Sequence, residues 1–134
     1  MKNRITFILA LTIAIFGVQC ANTTTYSGPG SVIKGNIKNA ANLQIFLDKA
    51  SMGSGANNIL AKSDIDDSGN YNLEFPDGLE AGIYRIRIGA KRINLVLDGT
   101  EKMVTINGDL TTIQNHNYEV QGSASSATYR NIYQ

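Results

Sequence analysis

Residues 64–75 read DIDDSGNYNLEF, a stretch that fits either a metal site or a strand pair. It begins with the spacing of a calcium-binding loop, with oxygen-bearing side chains at the first, third and fifth positions and a glycine at the sixth. An EF-hand loop also needs a bidentate carboxylate at its twelfth position, which is Phe75 here. Glu74 lies one residue too early, and no flanking helix is indicated. We therefore predict no metal site.

The same stretch has the chemistry of a β-hairpin. The residues Asp67-Ser68-Gly69-Asn70 favour a tight turn, in which Gly69 takes a positive φ. In the following Tyr71–Phe75, apolar and polar residues alternate, which places the apolar side chains on one face of a strand. We therefore predict Asp67 and Gly69 as structural turn residues, together with Gly82 ahead of a later strand.

Strand-like runs extend on both sides of this hairpin, across residues 32–123. They are rich in Ile, Val, Leu, Tyr and Phe and recur at intervals of roughly 8 to 12 residues. The runs are 32–38, 43–49, 58–66, 70–75, 82–88, 93–98, 102–107 and 117–121. The gaps are too short for crossover helices, and no segment shows a helical period. The sequence predicts an all-β fold, an antiparallel β-sandwich of about seven or eight strands, with 124–134 as a C-terminal tail or the start of a linker.

Residues 1–19 have the pattern of a cleaved signal peptide. Lys2 and Arg4 precede the uncharged apolar run Ile5–Val18, which is shorter than the roughly 20 residues needed to span a membrane. The single cysteine of the chain, Cys20, closes this run, and residues 20–31 form a polar, flexible tether.

The position of Cys20 predicts lipidation. A cysteine that closes a signal region resembles the lipobox of bacterial lipoproteins, although Gly17 and Gln19 depart from its usual residues. We expect the membrane to be a partner through lipid on Cys20, in the cell envelope and on the periplasmic side of the outer membrane. The alternative is cleavage by ordinary signal peptidase, which gives a soluble periplasmic or secreted protein.

Charge and composition limit the partners. A formal net charge of +1 does not indicate the strongly basic surface that a nucleic-acid-binding protein normally has. Positive charge does concentrate on one strand and its following turn, a candidate surface for an anion or an acidic partner, at Arg85, Arg87, Lys91 and Arg92. The alternative interpretation is the solvated face of an antiparallel sheet.

No catalytic signature is present, and we predict neither enzymatic activity nor a cofactor. His116 is the only histidine, and its position between two asparagines predicts a solvated turn residue. For Tyr71 and Tyr84 we predict core packing with a hydrogen-bonded hydroxyl. Four tyrosines near the two ends are predicted to be exposed and available to stack on sugar rings or on a neighbour: Tyr26, Tyr118, Tyr129 and Tyr133.

The hairpin also carries a family resemblance. The residues 67–71 (DSGNY), followed by 81–84 (AGIY), resemble a signature shared by two groups of β-sandwich modules. One group is the carboxypeptidase regulatory-like or transthyretin-like modules of secreted proteins. The other is a domain of unknown function, found N-terminal to the thioredoxin/alkyl-hydroperoxide-reductase-like domain in Bacteroidetes-type thiol:disulfide oxidoreductase lipoproteins.

The second group is similar over about 32–123, from the opening strand to the closing Gly122-Ser123. In its fuller members this Gly-Ser step leads into a helical linker and a thioredoxin-like domain that carries Cys-x-x-Cys. The present chain has no such pair, so the resemblance does not carry redox activity over to it.

Two functions follow as hypotheses. The first is a non-catalytic envelope lipoprotein domain, an accessory or interaction module whose partner is a thioredoxin-like domain or another envelope protein. The second is a surface β-sandwich that binds carbohydrate or another ligand.

Overall fold

The computed structural model describes residues 26–50 and 58–133. The predicted signal peptide 1–19, Cys20 and the first part of the predicted tether 20–31 lie outside the described residues. The described chain contains eight strands, a 3₁₀ turn at Ile113–Asn115 and one α-helix. The strands are β1 Ser31–Lys38, β2 Gln44–Lys49, β3 Asn58–Asp64, β4 Asn70–Phe75, β5 Gly82–Ile88, β6 Lys91–Leu97, β7 Met103–Asp109 and β8 Tyr118–Gln121, and the helix is α1, Ala124–Ile132.

The strands form two four-stranded sheets. Sheet I has the order β4-β1-β7-β8, and sheet II has the order β3-β2-β5-β6. The prediction of an all-β sandwich of seven or eight strands is therefore confirmed. The predicted hairpin of β3 and β4 is wrong in its pairing, because β3 pairs with β2 at an edge of sheet II and β4 pairs with β1 at an edge of sheet I. The turn at 66–69 instead carries the chain from one sheet to the other, since turn chemistry fixes the bend but not which strands pair.

One pairing differs from the expected antiparallel arrangement. β1 and β7 are parallel, with Val32 opposite Met103 and Ile37 opposite Gly108, whereas the other pairings in the described chain are antiparallel. The two strands are separated by five others, so no short crossover is needed to make them parallel. The gaps between strands still leave no room for a βαβ unit. The order in which the strands pair, including the parallel β1–β7 pair, could not be predicted from local sequence patterns.

The core lies between the sheets and follows the period-two alternation of the strands. In β5, Tyr84, Ile86 and Ile88 are buried, and the residues between them face outward. Buried residues of the other strands include Ile33, Ile37, Ile45, Leu47, Tyr71, Leu73, Ile93, Leu95, Val104, Ile106 and Tyr118.

The two tyrosines that we predicted in the core are there. The Tyr71 hydroxyl donates to the Ile106 carbonyl at 3.2 Å, and the Tyr84 hydroxyl donates to the Glu80 carbonyl at 2.7 Å. Burial raises the pKa of Tyr71 above its ordinary value of 10.0, so this phenol stays neutral at physiological pH.

The C-terminal residues correct the prediction that no segment is helical. Residues 124–132 form α1, which packs against β6 and β8 and so closes the side of the sandwich opposite the β3–β4 connection. The helix begins at Ser123, whose hydroxyl accepts a hydrogen bond from the Ser126 backbone nitrogen. The buried residue of this helix is Ser126, and its sequence, ASSATYRNI, has no strong apolar stripe that would have predicted a helix.

Candidate functional site

The predicted lipidation site, Cys20, lies outside the described residues, so its surroundings are not part of the structure. In the described ranges 26–50 and 58–133, no helix is both long and apolar enough to cross a membrane.

The predicted cationic surface is divided by the fold. Arg85 and Arg87 lie on the outer face of sheet II, and Arg92 is paired opposite Arg87 on the neighbouring strand. Lys91 is paired with the buried Ile88 and bonds instead to Gln114, at 3.1 Å. The structure therefore brings together three of the four predicted residues, and Arg92 is the most exposed of them.

Arg87 is held by two neighbours on β2. Its guanidinium forms a bidentate ion pair with Asp48, a carboxylate that is only 1% exposed, and it also lies over the Phe46 ring, 4.9 Å from the centroid. Hydrogen bonding to Asp48 raises the pKa of Arg87. Arg87 thus supports the sheet, and the positive charge that is open to a partner is that of Arg85 and Arg92.

The β3–β4 connection is a turn, as predicted, although it joins two sheets and not the strands of a hairpin, and Asp66 rather than Asp67 organises it. Gly69 has φ 86°, and the Asp66 carboxylate accepts hydrogen bonds from the backbone nitrogens of Ser68 and Asn70, at 2.9 and 2.8 Å. These bonds, with Asn70 the largest contributor, lower the pKa of Asp66 below its ordinary value of 3.8. Asp67 is an exposed turn residue.

Two further predictions concern the turn and metal binding. Gly82 is the first residue of β5 and has no positive φ, so its assignment as a turn residue is wrong. A Cβ there would make ordinary contacts at 3.7 Å with Lys49 and Tyr84. Within the part of the chain that the structure describes, no group of three His, Cys, Asp or Glu residues is placed to hold a metal ion.

An open pocket of about 490 Å³ lies at one end of sheet I. Its lining is mostly polar and comes from β1, β7, β8, the loop before β8, and α1. The lining residues are Asn36, Lys38, Asn107, Gly108, Asp109, Thr112, Asn117, Tyr118, Glu119 and Arg130.

A row of polar side chains crosses the outer face of sheet I and enters this pocket. Asn70 is paired with Asn36, and Asn107 is paired with Glu119. The Asn107 side-chain oxygen accepts from the Asn36 backbone nitrogen at 2.9 Å, which links the two pairs across β1 and β7. The Asn36 amide in turn donates to the Ser68 carbonyl at 2.7 Å and to the Asn70 side-chain oxygen at 2.9 Å.

Sequence reasoning missed this row. Each residue stands at an outward position of its strand, so the alternation marks it only as solvent-facing. The missing information is the order of strands, since Asn36 and Asn107 are 71 residues apart in the chain.

The aromatic residues near the C-terminus form a cluster beside the pocket. The rings of His116 and Tyr133 stack with centroids 5.3 Å apart, and Tyr129 and Tyr133 lie 5.0 Å apart. His116 is a turn residue, as predicted, but it is half-buried against Tyr133 and not fully solvated. Tyr118, which we expected to be exposed, is buried in the core.

No protein-family model matches this chain, and no curated protein matches it significantly.

Proposed function

We propose that the protein is a non-catalytic lipoprotein domain of the cell envelope that serves as an accessory or interaction module. Lipid on Cys20 would hold it at the membrane, and α1 would present a contact surface to a partner. The observation that carries the proposal is the docking of α1 on both sheets with an exposed apolar end.

Three polar contacts fix α1 on the sandwich. Ser126 bonds to the Val96 backbone on β6, Asn94 donates to the Tyr129 hydroxyl at 3.2 Å, and the Arg130 guanidinium donates to the Tyr118 carbonyl on β8. Because these contacts reach both sheets, the direction of the helix is set by the fold. A partner that binds the end of α1 would therefore be held at a defined angle to the sandwich.

The end of α1 is suited to such a contact. Ile132 is 71% exposed and Tyr133, whose ring stacks on that of His116, is 56% exposed, and exposed large apolar side chains favour protein association. The helix also starts at Gly122-Ser123, the step at which the resembling envelope lipoproteins pass into a helical linker. This supports a thioredoxin-like domain or another envelope protein as the partner. Positive charge at Arg85 and Arg92 would favour an acidic surface on it.

Site-specific photo-crosslinking in the native host tests this proposal. A photoreactive residue at position 133 should give a discrete crosslinked product that contains an envelope protein or a thioredoxin-like domain. The same residue at position 62, on the exposed edge strand β3, is the matched control and should not give that product. Identical products from both positions, or none from position 133, would contradict the proposed role of α1.

A further inference from the structure

The pocket at the end of sheet I has chemistry that the proposed function does not use. Its volume, about 490 Å³, is within the range of roughly 300 to 1,000 Å³ that is typical of small-molecule sites. Two of its charged groups are already occupied. Asp109 accepts from the backbone nitrogen and hydroxyl of Thr111 and from the Asn39 amide, and Arg130 donates to the Tyr118 and Asn131 oxygens.

Other polar groups of the lining are not used by the fold. The Asn107 side-chain oxygen accepts from the Asn36 backbone nitrogen, and the Asn36 side-chain nitrogen donates to Ser68 and Asn70. The Asn107 side-chain nitrogen and the Asn36 side-chain oxygen have no hydrogen bond within the described residues. The Lys38 amine and the Glu119 carboxylate, both exposed, also line the pocket and make no bond in this part of the chain. The hydrogen bonds to Ser68, Asn70 and the Asn36 backbone hold the Asn36 and Asn107 side-chain amides in fixed orientations before any ligand binds.

The unused groups alternate between donors and acceptors. Asn107 and Lys38 donate, whereas Asn36 and Glu119 accept. The lining carries two basic side chains, Lys38 and Arg130, and two acidic ones, Asp109 and Glu119, so it has no net charge that would favour an ion of either sign. A phosphate or carboxylate would also only accept hydrogen bonds and would leave the Asn36 and Glu119 oxygens unused. A hydroxyl both donates and accepts, so neighbouring hydroxyls on one ring satisfy both kinds of group.

We propose that this pocket binds a neutral sugar unit. Adjacent hydroxyls of the sugar accept from the Asn107 amide and the Lys38 amine and donate to the Asn36 oxygen and the Glu119 carboxylate. The pocket lining includes Arg130 of α1 but neither Ile132 nor Tyr133, so the sugar contacts are distinct from the proposed partner contact, although the two lie close together.

Nuclear magnetic resonance titration of the mature protein tests this site. The probes are chitotriose and cellotriose, two neutral saccharides with and without N-acetyl groups, and inorganic phosphate as the anionic arm. We expect at least one saccharide at millimolar concentration to shift the side-chain amide signals of Asn36 and Asn107 in a saturable manner, and phosphate to leave them in place.

Two matched variants on β8 locate the binding. Glu119→Ala should weaken saccharide binding about tenfold, the effect of losing one hydrogen bond to a charged group. Gln121→Ala, on the same outer face but outside the pocket lining, should leave the affinity unchanged. Both side chains are exposed, and the backbone spectra report whether each variant is folded.

Several results would overturn the proposal. They are the absence of shifts with both saccharides, saccharide shifts confined to residues away from the pocket, stronger binding of phosphate than of either saccharide, or full saccharide affinity in a folded Glu119→Ala variant.

Discussion

The hydroxyl of Ser126 hydrogen-bonds to the backbone of Val96 at the edge of sheet II, in the way that a neighbouring strand would. It accepts from the Val96 backbone nitrogen at 3.0 Å and donates to the Val96 carbonyl at 2.8 Å. An unpaired edge strand offers such groups to other chains, and proteins often cover it with a helix. Through this one residue, α1 both protects the edge of β6 and fixes its own position.

Replacing Ser126 should therefore weaken the domain. In Ser126→Ala the Val96 nitrogen loses its partner and the Val96 carbonyl keeps only the Ser123 hydroxyl, at 3.1 Å, which we expect to cost about 1 to 3 kcal/mol of unfolding free energy. Denaturant unfolding measures the loss, and the exchange rate of the Val96 amide should rise. Ser125→Ala, one residue earlier on the same helix, is the control and should change the unfolding free energy by less than about 0.5 kcal/mol. Equal losses in the two variants would show that Ser126 has no special role.

Gly69 should tolerate no side chain. It has φ 86°, and a Cβ would lie 2.6 Å from the Ile37 carbonyl oxygen, so Gly69→Ala should destabilise the domain by about 2 to 3 kcal/mol. Gly89→Ala is the matched control, because Gly89 also has a positive φ, 56°, but nothing within 4 Å of the added Cβ. Its cost should be only about 1 kcal/mol.

Calcium should not change the melting temperature of the wild-type protein or of either glycine variant, because the 64–75 segment has Phe75 where an EF-hand loop requires a carboxylate. Stabilisation of the wild type by millimolar calcium would restore the metal-site interpretation of residues 64–75.

The Asp66 carboxylate should make the stability of the folded protein depend on pH in the acidic range. Hydrogen bonds lower its pKa in the folded state below 3.8, so its contribution is present above that value and is lost as the pH falls through the folded-state pKa. Thermal unfolding followed from pH 7 down to about pH 2.5 should show a smaller acid-induced loss in Asp66→Ala than in the wild type. Asp67→Ala, whose side chain takes no part in these bonds, should behave like the wild type. The idea fails if Asp66→Ala loses as much stability in acid as the wild type.

Removing only Asp48 from its ion pair with Arg87 should lower the unfolding free energy more than replacing both residues with apolar ones. Asp48→Ala leaves a partly buried guanidinium without its carboxylate, and we expect a loss of about 2 kcal/mol in denaturant unfolding, reduced from the fully buried case because Arg87 is 24% exposed. The double variant Asp48→Leu with Arg87→Met should recover much of this loss. A double variant as unstable as Asp48→Ala would indicate that the charges themselves are required.

The strands could be predicted because each depends on a local pattern. Alternation in Gly82–Ile88 and the turn chemistry at Gly69 mark a strand and a turn whatever lies next to them. The turn chemistry did not show that the strands on either side of Gly69 belong to different sheets, so the predicted hairpin was wrong. The contacts that build the candidate sites depend on distant residues instead. Asp48 and Arg87 are 39 residues apart, and Asn36 and Asn107 are 71 apart, so neither contact leaves a local signature.

The helix α1 escaped prediction for a related reason. Its sequence lacks an apolar stripe, because the helix is anchored by Ser126, Tyr129 and Arg130 through hydrogen bonds and not by a row of aliphatic side chains. Such anchors are visible only once β6 and β8 are known to be its neighbours.

The central claim, a lipid-anchored accessory module, depends first on the anchor. Mass spectrometry of the mature N-terminus from the native host tests it most directly, with the Cys20→Ser variant as the control. We predict a chain that begins at Cys20 and carries the mass of a lipid modification, and a Cys20→Ser protein that lacks this mass and leaves the membrane fraction. An unmodified mature chain that begins at Ala21 or beyond would contradict the claim.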